Sequence, residues 1–149
     1  MDHEQLLKAF LGGQLEALDF GHREHVAVGW SLLESHSFDH AVHLFSIGAR
    51  DLAERAGAGD KFHVTLTRAL MHLIAADRLN APANSCTEYL QSRPPVLKNA
   101  LAALSPYYSH ACLWSKESRS TWVPPDLGPL PARLFQQRMS KADIANHPD

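Results

Sequence analysis

A stripe of apolar side chains with helical spacing runs through residues 38–53, and it constrains this chain more than any other feature. Its members recur every three or four positions: Phe38, Ala41, Val42, Phe45, Ala49, Leu52 and Ala53. That period puts all of them on one face of a helix, whereas a half-buried strand would alternate apolar and polar residues. Shorter stripes of the same period begin near Val26 and Phe62. The pattern predicts amphipathic helices packed through their apolar faces.

The composition agrees with helices. The 149 residues include 21 Leu and 20 Ala but only 9 Val plus Ile, and β-branched residues are the ones that strands favour. We therefore expect an all-α, single-domain bundle of about five helices over residues 1–137. The proline-rich stretch Val123–Pro131 should run extended across its surface. Residues 138–149 are polar and should form a frayed tail.

Charge and hydropathy narrow the classes of partner. The net charge of −2 and the pI near 6.5 predict neither a nucleic-acid partner nor an anionic membrane partner. The apolar runs are too short to span a bilayer, and the N-terminus does not have the pattern of a signal peptide. Cys86 and Cys112 have no metal-type spacing and are expected to be free thiols, which favours a cytoplasmic protein.

Histidine is unusually frequent, with ten residues. His22 and His25 follow Asp19 at the predicted start of one helix, and His63 follows Asp60 at the start of another. Each Asp is expected to be a helix N-cap. Since residues three apart share a helix face, His22 and His25 should point together toward the interior.

These three histidines predict a metal centre between the two helix starts. Three imidazole ligands with one open position are typical of a catalytic site, and zinc or iron is the expected divalent ion. Glu24, Asp126 or a water molecule would supply the fourth ligand. The chain would then be a mononuclear metal-dependent enzyme acting on a small molecule.

Further residues are assigned by position alone. Thr65, within a turn of His63, is expected to orient a ligand or water, and Tyr107 is expected to line the same pocket. Both are candidate catalytic residues beside the three histidines. A second group, His36, His40 and His43, lies off the apolar stripe and is interpreted as a solvated helix face.

Two other functions remain open at this point. One is a metal-free enzyme in which one histidine is a general acid or base oriented by another. The other is a non-enzymatic helical interaction protein whose histidines bond to the backbone. The chain contains no His-Glu-x-x-His zinc motif and no glycine-rich phosphate loop, so those two classes of enzyme are not predicted.

The order of short motifs resembles that of a little-characterised group of short bacterial helical proteins. The motifs are Phe-x-His-x-x-His, aromatic-His-x-Thr, Tyr-Tyr-Ser and Pro-Asp. The matching residues are Phe20, His22, His25, Phe62, His63, Thr65, Tyr107, Tyr108, Ser109, Pro125 and Asp126. The resemblance covers roughly residues 20–127 and brings no activity with it. It implies that the histidine segments form one site, with the later Tyr and Asp nearby.

Overall fold

The computed structural model describes residues 1–131, and their regular structure is entirely helical. The predicted all-α single domain is confirmed. Four helices are long: α1 (His3–Leu11), α2 (His22–Ser35), α3 (Phe38–Arg55) and α4 (Val64–Asn80). Five are short: α5 (Cys86–Gln91), α6 (Pro95–Lys98), α7 (Ala100–Leu104), α8 (His110–Leu113) and α9 (Lys116–Ser120). The predicted tail, 138–149, lies outside the described residues.

The last third of the described chain divides into more segments than the predicted five helices allow. Pro95 opens α6, as its fixed φ favours, but the helix ends after four residues. Asn99 leaves the helical conformation and caps α7, where its side chain accepts the Ala102 N–H at 3.0 Å. Local caps therefore outweigh the continuous apolar spacing from Leu97 to Leu104.

Helix α2 is the centre of the bundle and packs against α1, α3 and α4. Its contact with α4 is close at Gly29. A Cβ atom there would lie 2.9 Å from Ile74 Cδ1 and 3.0 Å from Met71 Sδ, so a larger residue would require these two side-chain ends to move. Glycine thus lets α2 pack directly against the side chains of α4.

The stretch after α9 has no regular helix through Pro131, as predicted, but it is anchored to the bundle. The Tyr108 hydroxyl donates to the Val123 carbonyl at 2.7 Å, and the Leu127 N–H donates to the Tyr107 carbonyl at 3.0 Å. Leu130 is buried. None of the helices in residues 1–131 has the length and apolar character needed to cross a membrane.

Candidate functional site

A cavity of about 470 Å³ lies where the starts of α2 and α4 face α3, and we call it the histidine cavity. His22, His25 and His63 all line it. Its other walls are mostly apolar, and no Asp or Glu from residues 1–131 lines it. The remaining lining residues are Phe20, Gly21, Phe45, Ala49, Ala53, Ala58, Lys61, Phe62, Leu66, Thr67, Leu70, Ala100, Leu101 and Trp114.

The start of α2 differs from the prediction. Asp19 is not the N-cap: it ends a 3₁₀ turn, Ala17–Asp19, and the helix begins after Gly21. The Gly21 N–H donates to Glu24 Oε1 at 2.9 Å, so the Glu24 carboxylate folds back over the first turn. Glycine brings no side chain that would compete for that N–H. Glu24 does not line the histidine cavity.

One ring nitrogen of His25 is hydrogen-bonded, and the other is open, meaning that it has no hydrogen-bond partner within residues 1–131. Its Nδ1 lies 2.8 Å from the Gly21 carbonyl. Because a carbonyl can only accept, Nδ1 carries the proton and Nε2 bears the lone pair. Within residues 1–131, Nε2 has no hydrogen-bond partner, and it is not among the unpartnered atoms that are sealed from solvent.

The surroundings of His25 keep its ring neutral. The Phe20 ring centroid lies 4.2 Å away and that of Phe45 lies 6.0 Å away. Burial lowers the pKa of His25, with the hydrogen bond to the Gly21 carbonyl opposing the shift. At neutral pH, His25 is thus an unprotonated base beside two aromatic rings.

His22 was expected to face inward, but it is exposed and lies at the edge of the cavity. Its Nε2 donates to the Val96 carbonyl at 2.7 Å, which joins α2 to α6. Nδ1 therefore bears the lone pair. The first turn of α2 is exposed to solvent on the side that carries His22. The spacing of apolar residues in the sequence does not show that this end of the helix face is left uncovered.

His63 uses both of its ring nitrogens. Asp60 is not the cap of α4, because it lies in the 3₁₀ turn Gly59–Lys61. His63 is itself the N-cap: Nδ1 accepts the Leu66 N–H at 3.0 Å, and Nε2 donates to the Leu113 carbonyl at 2.7 Å. Burial lowers the pKa of His63, and the bond to Leu113 opposes that shift. We call this ring a clamp, because its two hydrogen bonds join the start of α4 to α8.

A metal ion would need lone pairs from all three rings, and the present arrangement does not offer them. Four of the six ring nitrogens hold hydrogen bonds, including both on His63. Among residues 1–131, no group of three His, Cys, Asp or Glu side chains is placed to hold an ion. Asp126 is exposed and accepts bonds from Ser109 N and Oγ at 2.8 and 2.6 Å, outside the cavity lining. The donor set therefore does not fit a three-histidine centre as arranged.

The other two candidate catalytic residues lie away from the cavity lining. Thr65 is fully buried; its hydroxyl donates to the Thr121 carbonyl at 2.8 Å and accepts the Val123 N–H at 3.0 Å. Tyr107 is half-buried, and its carbonyl holds Leu127. Both residues fix the C-terminal stretch onto the bundle.

The second histidine group agrees with its interpretation as a solvated helix face at His40 and His43 but not at His36. His40 and His43 are exposed on α3, while His36 is half-buried at the end of α2. The rings of His36 and His40 lie 4.7 Å apart in an edge contact.

Sequence reasoning did not identify His72, a residue of α4, as a buried histidine. The side chain is 6 % exposed and lies between Phe38 and Trp122, and neither ring nitrogen has a partner within residues 1–131. Burial lowers its pKa to about 4, and the Arg68 charge adds to the shift. Residues 71–76 are all buried; the absence of a polar face in that run was the available signal.

Phe45 was also missed as a wall of the site, since it comes from α3, which only the fold brings beside the starts of α2 and α4. The resemblance to short bacterial helical proteins stays a prediction. Comparison of the chain with protein-family models, curated proteins and solved structures found no match.

Proposed function

We propose that the histidine cavity binds a small, largely apolar molecule, and that the protein is a metal-free enzyme with His25 as general base and acid. The observation that carries the proposal is the open, unprotonated Nε2 of His25 in an apolar cavity. The volume of about 470 Å³ suits a small molecule. We place the protein in the cytoplasm, because Cys86 and Cys112 are free thiols.

The proposed chemistry is a proton transfer. Nε2 takes a proton from a C–H or O–H group of the bound molecule, and the electrons of the broken bond stay on that molecule. The imidazolium then returns the proton to the product. Nδ1–H donates its hydrogen bond to the Gly21 carbonyl throughout, so the tautomer and the ring orientation are fixed. His63 acts as a positioning residue, since its two bonds hold the opposite wall.

A reporter reaction tests this role without knowledge of the natural substrate. 5-Nitrobenzisoxazole is aromatic and neutral, and a base that removes its C–H proton breaks the N–O bond and releases a coloured phenolate. We expect the full chain to accelerate this reaction. His25→Gln should lose at least about 100-fold, the lower end for a positioned general base.

The matched control is His40→Gln, which removes an exposed imidazole from α3. It should keep the wild-type rate. If His25→Gln and His40→Gln are equally active, His25 is not the base. Circular dichroism and the Trp114 indole signal show whether the His25→Gln cavity is intact, so a folding defect is distinguished from a lost base.

A mononuclear metal enzyme with His22, His25 and His63 as ligands is the second candidate, and the lining of one cavity by all three rings supports it. It requires His63 to release its bonds to Leu66 and Leu113. The test is metal analysis of tag-free protein after anaerobic loading with zinc or iron. A stoichiometric ion that is lost in His22→Ala, His25→Ala and His63→Ala, but kept in His40→Ala, would replace the metal-free proposal.

A further inference from the structure

The histidine cavity has a one-sided charge. Among residues 1–131, Lys61 is the only formally charged side chain that lines it, and no carboxylate does. Lys61 is exposed, so its side chain lies where the lining meets solvent. Asp60 and Glu54 belong to the same stretch, but neither comes within ion-pair distance of Lys61 in the described residues. The ammonium is left available for an anion.

Two arginines that do not line the cavity contact aromatic residues that do. The Arg50 guanidinium lies 4.8 Å from the ring centroid of Phe62, and that of Arg119 lies 5.7 Å from the ring of Trp114. Neither arginine makes an ion pair within residues 1–131. Lys61 and these two arginines place positive charge close to a lining that has no carboxylate from residues 1–131, and such charge raises the local concentration of anions.

The imidazoles, unlike the cations, call for a hydrogen-bond donor on the ligand. His25 Nε2 and His22 Nδ1 both bear lone pairs, because the partner nitrogen of each ring donates to a carbonyl. A ligand that satisfies them must bring a hydrogen-bond donor. Between these polar points the walls are aromatic and aliphatic, with Phe20, Phe45 and Phe62 among them.

We infer that the ligand of the histidine cavity is a small hydroxycarboxylic acid with an aromatic or branched apolar body. The carboxylate faces Lys61 at the mouth, the hydroxyl donates to an imidazole, and the body fills the apolar walls. This inference rests on the proposed function and names its substrate class. Lys61 then determines specificity for acids over neutral analogues.

The experiment compares three probes on the full chain: 3-phenyllactate, its amide, which lacks the charge, and 3-phenylpropionate, which lacks the hydroxyl. Affinity is measured by calorimetry, and the Trp114 indole N–H signal in NMR reports binding in this cavity. The variants are Lys61→Gln and, as a matched control, Lys116→Gln, which removes an exposed lysine outside the lining. Indole serves as a neutral probe of the cavity alone.

We expect 3-phenyllactate to bind about three- to tenfold more tightly than its amide, the range for a charge-assisted contact at a surface. Lys61→Gln should remove that difference, and Lys116→Gln should keep it. In His25→Gln, 3-phenyllactate should lose its advantage over 3-phenylpropionate.

The failures are distinguishable. If indole binds but 3-phenyllactate and its amide bind equally in wild type and in Lys61→Gln, the acid specificity is wrong and the cavity proposal stands. If no probe, indole included, shifts the Trp114 signal, the cavity does not bind small molecules, and both proposals are overturned.

Discussion

The starts of α2 and α4 look alike in sequence, yet they have different chemistry. Each has an Asp followed three residues later by a His. At α2, Gly21 is the cap, and His25 bonds back to the Gly21 carbonyl and leaves Nε2 open. At α4, His63 is the cap, and both of its nitrogens are bonded to the backbone. The histidine at the shared spacing in α2 is His22, which donates to the Val96 carbonyl at 2.7 Å, and the ring with an open Nε2 belongs to His25, three residues further into the helix.

The difference follows from where each ring lies relative to the helix end. A residue at the N-cap position meets free N–H groups, so the His63 ring is recruited as an acceptor. A residue one turn inside meets only carbonyls that already serve the helix, and Gly21 O accepts both His25 N and His25 Nδ1. The His25 imidazole, one turn inside the helix, therefore bonds through Nδ1 and leaves Nε2 unpartnered within residues 1–131.

The largest expected effect comes from removing the clamp. His63→Ala loses the cap and leaves the Leu113 carbonyl without its partner, which should lower the free energy of unfolding by about 3 kcal/mol. His25→Gln removes one partly exposed bond and should cost less than about 1 kcal/mol. Urea unfolding at constant m-value measures both. Equal losses in the two variants would mean that the two helix starts do not differ as described.

Thr65→Val tests the second side chain of α4 that is hydrogen-bonded to a distant segment. Its expected effect on the free energy of unfolding is intermediate. Valine keeps the shape but leaves the Thr121 carbonyl and the Val123 N–H unpartnered, so we expect a loss of about 2 kcal/mol. Thr67→Val is the matched control: it loses one bond, to the His63 carbonyl, and should cost about 0.5–1 kcal/mol. A normal stability with a large fall in the reporter rate would instead return Thr65 to the catalytic role that the sequence suggested.

The smallest effect concerns the protonation of His25. Burial lowers its pKa below the ordinary value of 6.5. The neutral base should persist as the pH falls below 6.5, and the reporter rate should drop only when the lowered pKa is reached. In that interval the unfolded chain binds the proton first, so the stability that depends on neutral His25 is present above pH 6.5 and decreases as the pH falls.

NMR titration of the His25 ring measures this pKa directly, and His25→Gln identifies its signal. A midpoint at or above 6.5 would contradict the buried environment. His25 would then titrate like an exposed histidine, and burial would not distinguish the start of α2.

Much of the fold was predictable. The stripe from Phe38 to Ala53 became α3, and the residues after Val26 and Phe62 became α2 and α4, because a helix that buries one face must repeat its apolar residues with its own period. The caps of α2 and α4 were not predictable. Asp19 and Asp60 have the preferred side chain for a cap, but they lie in 3₁₀ turns, two residues before the cap Gly21 and three residues before the cap His63.

The candidate site was predictable as a group of residues but not as a mechanism. Helical spacing and the inward stripe pointed to His22, His25 and His63, and the fold brings these three residues to one cavity. Phe45 completes the walls from another segment, so no local pattern could identify it as part of the site.

The sequence by itself determined the helices, their apolar faces and the presence of imidazoles at two helix starts, since these depend on residues a few positions apart. The tertiary structure decided which nitrogens remain free. The carbonyls that engage His22 and His63 belong to Val96 and Leu113, 74 and 50 residues away. Hydrogen bonds that close over such distances exist only after the bundle has packed, and they leave His63 with both ring nitrogens bonded while Nε2 of His25 stays unpartnered within residues 1–131.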